Sequence, residues 1–196
     1  SLQRTRPAYY TVAYDLSTLP YDWHLPLRDL LAGHEDYMLL QIDISMVYDG
    51  RPYVEAVADG QLDEAIDRLC FGLRQLNRPT FVRFGYEFNS KWNKYDPELY
   101  RRAWQRFGQT LRKRWDLERV ALVWTAAADG HGPYMDYYPG DEYVDWWSIE
   151  VYTPTDLRQP RTRGFIRRAA EHGYPVLLGA STPMSKTPKD SEELWQ

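Results

Sequence analysis

An α/β fold of the (β/α)8-barrel type, incomplete at about six strands, is what this sequence predicts, and three observations predict it. Apolar strand-like runs alternate with stretches of helical periodicity, a pattern that implies parallel strands joined by right-handed crossovers. Polar residues stand at alternate positions inside the strand runs, as in Gln41, Asp43 and Ser45, in Arg83 and Glu87, and in Ser148 and Glu150. That spacing puts them on one face and suggests a barrel interior that turns polar toward its mouth. No Gly-x-Gly-x-x-Gly or phosphate-cradling loop follows the first strand, which argues against an open nucleotide-binding sheet. A closed eight-stranded barrel takes about 250 residues. This chain has 196, so about two strands are expected to be missing and residues 1–196 to form one partial domain.

The strands are read near residues 8–15, 37–47, 79–87, 119–126, 145–152 and 175–181. A helix near 61–77 is bounded by Asp59-Gly60 before it and by Asn77 and Pro79 after it. The helix near 97–114 has Asp96 as its N-cap, Pro97 at the first helical position and Glu98 in the first turn. Its Tyr100, Trp104, Phe107 and Leu111 form one apolar stripe. A third helix, near 160–172, stops at Gly173 ahead of Pro175.

Composition narrows the function classes. With 43% hydrophobic and 27% charged residues the chain can bury a sizeable core. A net charge of -4 gives nucleic acid no general electrostatic footing. The cluster Arg101, Arg102, Arg106, Arg112, Lys113 and Arg114 belongs to one amphipathic helix and reads as its solvated face. Cys70 is the single cysteine; it falls on the apolar stripe of Leu62, Ile66, Leu69 and Leu73 and reads as core. No apolar run has membrane-spanning length, and no charged-then-apolar leader opens the chain. His24, His34, His131 and His172 are scattered without metal-ligand spacing, so neither a metal nor a cofactor is expected. Oligomeric state and compartment are not encoded.

The chemistry concentrates at Glu87, which ends the run Arg83-Phe84-Gly85-Tyr86-Glu87-Phe88-Asn89. A carboxylate at a strand terminus, walled by aromatics and beside the amide of Asn89, suits the cleavage of sugars. Those surroundings are expected to keep Glu87 protonated. Strand alternation puts Arg83, Gly85 and Glu87 on one face, so a plain buried pair between Arg83 and Glu87 is the competing reading. Aromatics make up 15% of the chain, and most of them read as packing; Trp92 or Tyr95, in the loop after Glu87, is expected to present a ring face to sugar. His131, in the loop Asp129-Gly-His-Gly-Pro133, is the histidine placed at the mouth. Glu150 and Asp43 read either as substrate-binding groups or as interior hydrogen-bonding partners.

Four blocks in order closely resemble glycoside hydrolase family 26: Arg83 to Asn89 with Trp92, then Val123-Trp124, then Tyr138 to Tyr152, then Pro175-Val-Leu-Leu-Gly-Ala-Ser-Thr-Pro183. The resemblance implies a TIM barrel acting on β-linked polysaccharides such as mannan, mixed-linkage glucan or xylan by a retaining two-carboxylate mechanism. It implies an acid/base role for Glu87, an orienting role for Tyr152, and a substrate-side place for Trp124. It also implies a secreted or periplasmic setting. In the fourth block the family carries Glu, its nucleophile, where this chain has Ala180. Hydrolysis is therefore expected to be weak or absent, with a non-hydrolytic glycan-binding protein as the alternative; Glu150 is the weaker candidate for a substitute nucleophile. The strand before the first block and the last barrel strand are expected to be absent, with residues 190–196 opening a helix that leads toward the latter.

Overall fold

The structure, a computed structural model, describes residues 9–32 and 39–179. Its elements in chain order are β1 (Tyr9–Asp15), α1 (His24–Leu31), β2 (Leu39–Ser45), β3 (Val47–Tyr48), β4 (Arg51–Pro52), α2 (Val54–Ala58), α3 (Asp63–Leu76) and β5 (Thr80–Phe84). They continue with α4 (Pro97–Gln109), β6 (Val120–Ala127), β7 (Trp146–Glu150), α5 (Pro154–Arg158), α6 (Pro160–Glu171) and β8 (Val176–Leu178). Six of the strands form one sheet in the order β1-β2-β5-β6-β7-β8, every pair parallel. That is an incomplete (β/α)8 barrel. Among the described residues β1 pairs only with β2, and β8 only with β7.

Each strand has one face for the helices and one for the interior. Leu40, Ile42 and Ile44 of β2, Val82 and Phe84 of β5, Leu122 and Trp124 of β6, and Trp147 and Ile149 of β7 are fully buried in the apolar core. The alternate residues Gln41, Asp43, Arg83, Thr125, Ser148 and Glu150 are equally buried but polar, so the inner face is a dry, charged one. Burying charge there is tolerable only because the groups are paired.

The helices obey their boundary signals. The Asp96 side chain accepts a hydrogen bond from the Leu99 N–H at 3.0 Å, capping α4 with Pro97 in its first turn. Tyr100, Ala103, Trp104 and Phe107 of α4 are wholly buried. The helix passes into a π-turn over Thr110–Trp115 and stops at Asp116, whose φ is 50°. Asn77, with φ 44°, ends α3, its N–H bonding Leu73 O at 3.1 Å. Between β2 and α2 the chain makes an antiparallel hairpin, Val47↔Pro52 and Tyr48↔Arg51, around Asp49 and Gly50, both at positive φ. Such a turn matches the twist of the flanking strands, and Asp-Gly is its favoured dipeptide.

The expected alternation fails at the end of β5. The strand stops at Phe84, and Gly85 (φ 61°) and Glu87 (φ 50°) adopt left-handed backbone. A Cβ on Gly85 would stand 2.7 Å from Met46 Cε and 2.8 Å from Tyr100 Cε2, so only glycine fits. Glu87 therefore reaches the carboxyl end of the sheet through a twisted loop rather than along a strand.

Candidate active site

The loop that carries Glu87 is pinned on both sides. Phe88 N–H donates to Thr125 O at 3.3 Å, and Ser90 N–H closes a turn onto Glu87 O at 2.8 Å. The Asn89 amide clamps β6, donating to Ala127 O at 3.0 Å and accepting from Ala127 N–H at 2.8 Å. Asn93 donates to the Glu87 carbonyl. The Glu87 carboxylate, 8% exposed, accepts from the Trp92 indole N–H at 2.5 Å and from Ser90 Oγ at 3.3 Å. Its other oxygen meets the Tyr152 hydroxyl.

Behind Glu87 lies a chain of buried charges. Tyr152 Oη also contacts Glu150 Oε2, and Arg83 Nη1 donates to Glu150 Oε1. Arg83 then grips Asp43 with two bonds, Nε to Oδ1 at 2.6 Å and Nη2 to Oδ2. The sheet register explains that pair, because Asp43 and Arg83 are directly opposite on β2 and β5. Gly179, at the end of β8, closes this interior: an added Cβ would stand 2.5 Å from Ser148 Oγ and 2.6 Å from Arg83 Nη1.

The two glutamates are pushed in opposite directions. Burial raises the Glu150 carboxyl, the contact with Glu87 raises it further, and Arg83 offsets this only in part, leaving it pushed up to about 7. Burial also acts to raise Glu87, but hydrogen bonds from Glu150, Tyr152, Trp92 and Ser90 outweigh it and hold the carboxyl below its ordinary value. The proton expected on Glu87 is thus favoured on Glu150 instead. Donors that converge on a carboxylate stabilise its ionised form more than an aromatic wall destabilises it.

Above these groups opens a cleft of about 340 Å³ lined by Glu87, Ser90, Lys91, Trp92, Asp129, Gly130 and Tyr152. A larger hollow of about 690 Å³ lies at the other end of the sheet, among Arg28, Asn77, Pro79 and Arg119, which precede or flank the strand starts. Barrel enzymes of this architecture work at the carboxyl ends of their strands, which makes the smaller cleft the candidate site.

A sequence profile described as glycosyl hydrolase family 26 matches residues 39–167. The chain belongs to that family. A β-1,3-xylanase from an Alcaligenes species is 27% identical over 133 residues, 66% of this chain and 28% of that protein. The β-1,3-xylanase TXYA of a Vibrio species is 28% identical over the same length, 29% of its own. This chain spans under a third of the curated relatives it matches. In fold it is similar to Bacillus subtilis mannanase man26, with a TM-score of 0.68 and 16% identity over 90% of this chain and 63% of that one. The endo-β-1,4-mannanase of Bacillus sp. JAMB-750 gives 0.68 and 15% over 96% and 63%.

Within this family 26 domain the site residues expected from sequence separate into two groups. Glu87, Trp92 and Tyr152 meet at the cleft. Asn89 does not face it: wholly buried, its amide is occupied by Ala127. Tyr95 is core, its hydroxyl accepting from Met46 N–H and its ring stacked on Tyr100 at 5.6 Å. Trp124 is core as well, stacked on Phe88 at 4.5 Å. Asp43 and Glu150 are interior partners of Arg83 rather than cleft-lining groups, and Arg83 pairs with them instead of with Glu87. His131 is exposed beside the cleft, its carbonyl accepting from Arg161. Ala180 and residues 190–196 lie outside the described residues. Ser90, Lys91 and Asp129 reach the cleft without having been singled out; their one available signal is position, in the loops that follow β5 and β6.

Proposed function

We propose that this cleft is the acid/base half of a retaining glycosidase site for β-linked polysaccharide. The observation that supports it most is the setting of Glu87: a carboxylate at the floor of a carboxyl-end cleft, oriented by Trp92, Tyr152 and Ser90, with a Trp92 ring 40% exposed above it. In this reading Glu87 protonates the glycosidic oxygen as the bond to the sugar breaks, then removes a proton from water in the second step. The reaction needs no metal or cofactor. Its second carboxylate, about 5–5.5 Å from the first in retaining enzymes, attacks the anomeric carbon. In this reading Ala180 stands at the position of that carboxylate, and because a methyl group has no attacking oxygen the chain is expected to bind glycan and cleave it poorly. The curated relatives are named β-1,3-xylanases, which makes β-1,3-xylan the first substrate to try and β-mannan and β-glucan the next.

The other reading, a glycan-binding protein without hydrolysis, is favoured by Ala180 alone. Replacing Ala180→Glu separates the two. Release of reducing ends from β-1,3-xylan, β-mannan or β-glucan by the variant supports a retaining site; a folded variant that binds these polymers without cutting any of them supports the binding protein.

A further inference from the structure

The arrangement around Tyr152 requires a proton that the two carboxylates share. A phenol has one hydrogen, yet Tyr152 Oη touches both Glu87 Oε1 and Glu150 Oε2. With both carboxylates ionised, one of these contacts would set lone pair against lone pair. The interior charges of the described residues give the same count: Asp43, Glu87 and Glu150 are three buried carboxyl groups and Arg83 is the buried cation that contacts two of them, whereas Lys91 lines the cleft with Glu87 but is exposed. One more proton removes the repulsion and lowers the buried excess of negative charge.

We propose that Glu150 is the proton-holding partner of Glu87, supplying it through the Tyr152 hydroxyl. In the resting arrangement Glu150 Oε2–H donates to Tyr152 Oη, whose own hydrogen points to Glu87 Oε1. Before the bond to the sugar breaks, the phenolic hydrogen moves to Glu87 and the Glu150 hydrogen moves to the phenol oxygen, so Glu87 becomes the acid that protonates the leaving group, Tyr152 ends neutral and the charge left on Glu150 is met by Arg83. In the second step the proton that Glu87 takes from water returns through Tyr152 to Glu150. Burial and the two flanking glutamates hold the phenol well above its ordinary range, so it relays the hydrogen without ionising. Glu150 faces Arg83 and Asp43 from β5 and β2, Ser148 from its own strand, and Glu87, Tyr86 and Tyr152 from the loops; Arg83 is the cation of this set. Glu150, 2% exposed and two residues before Tyr152, thus has neither the access nor the exposure of a nucleophile or a sugar-binding group.

The kinetic part of this inference rests on the glycosidase reading, whereas its titration does not. Infrared difference titration of the unaltered chain should show one carboxylic acid losing its proton in the neutral range. The Glu150→Gln variant should lose that transition, leaving Glu87 to titrate in the acid range, and Tyr152→Phe should keep the acid signal but uncouple the two groups. Persistence of the neutral transition in Glu150→Gln, or its absence from the unaltered chain, overturns the inference whatever the protein does to glycans. With Ala180→Glu in the background, adding Glu150→Gln should cut turnover at pH 7 by more than about tenfold, with the deficit shrinking as the pH falls toward 4.5 and Glu87 takes up its own proton. An equal loss at both pH values marks Glu150 as merely structural and overturns the relay. An Ala180→Glu protein that cuts nothing but keeps the neutral transition removes the glycosidase reading and leaves the shared proton standing.

Discussion

At the scale of residues, chemical type alone does not say whether an aromatic or amide side chain faces a ligand. Trp92 and Tyr95 are three residues apart in one loop, but the Trp92 ring stays 40% exposed over Glu87 whereas Tyr95 is sunk against Tyr100. Trp92→Ala is therefore expected to weaken oligosaccharide binding several-fold with little change in unfolding temperature, as read by calorimetry. A large stability loss with unchanged affinity would make the ring core. Asn89→Ala should do the reverse, because it strands the Ala127 N–H in a dry interior and leaves the Ala127 carbonyl with the Gly130 N–H, at a cost of about 1–3 kcal/mol. Chemical denaturation checks this; an unchanged midpoint would show the clamp to be dispensable. Glu87 itself sits at φ 50°, a backbone setting that costs a non-glycine residue of order 1 kcal/mol. Its strain is held by the hydrogen bonds of Phe88, Ser90 and Asn93 on either side.

Among elements, strand pairing is what turns separate residues into a site. Asp43 and Arg83 are 40 positions apart and Arg83 and Glu150 are 67 apart, yet β2, β5 and β7 deliver them to one interior face. The titration of Glu150 and Glu87 gives the chain a pH-dependent stability with a definite sign. Glu150 is raised in the fold from its ordinary 4.5 to about 7, so its favourable contribution is complete below about 4.5 and is lost as pH rises through 7. Glu87 is lowered, so its contribution is present above its ordinary value and is lost only as the solution becomes acidic. Stability is thus expected to peak near pH 5 and to fall toward pH 8 by at most about 3 kcal/mol. Denaturant unfolding at the two pH values should show the fall in the unaltered chain and a flatter profile in Glu150→Gln. Identical slopes in both proteins would assign the fall to other groups. At α4, Asp96→Ala removes the cap on Leu99 N–H and should cost about 1 kcal/mol in the same assay, with no effect on the titration of the glutamates.

For the molecule as a whole, six parallel strands leave two sheet edges, β1 and β8, that are unpaired on one side among the described residues. Parallel sheets are stable when covered on both faces and paired at both edges, so the chain is expected to self-associate at micromolar concentration. Sedimentation that shows a single monomeric species across that range would refute this. The six strands to within a few residues, the three long helices and the membership of family 26 are legible in the sequence. Those features are local: apolar periods of two and 3.6, caps such as Asp96-Pro97, and motifs in fixed order are written along the chain. Tertiary packing is what ends β5 at Phe84, sinks Tyr95, Trp124 and Asn89 into the interior, and pushes the Glu150 carboxyl up while holding that of Glu87 down. Burial, and the charges that meet across three strands, depend on which distant segments pack together, and these set the local dielectric and the partners that decide where a proton resides.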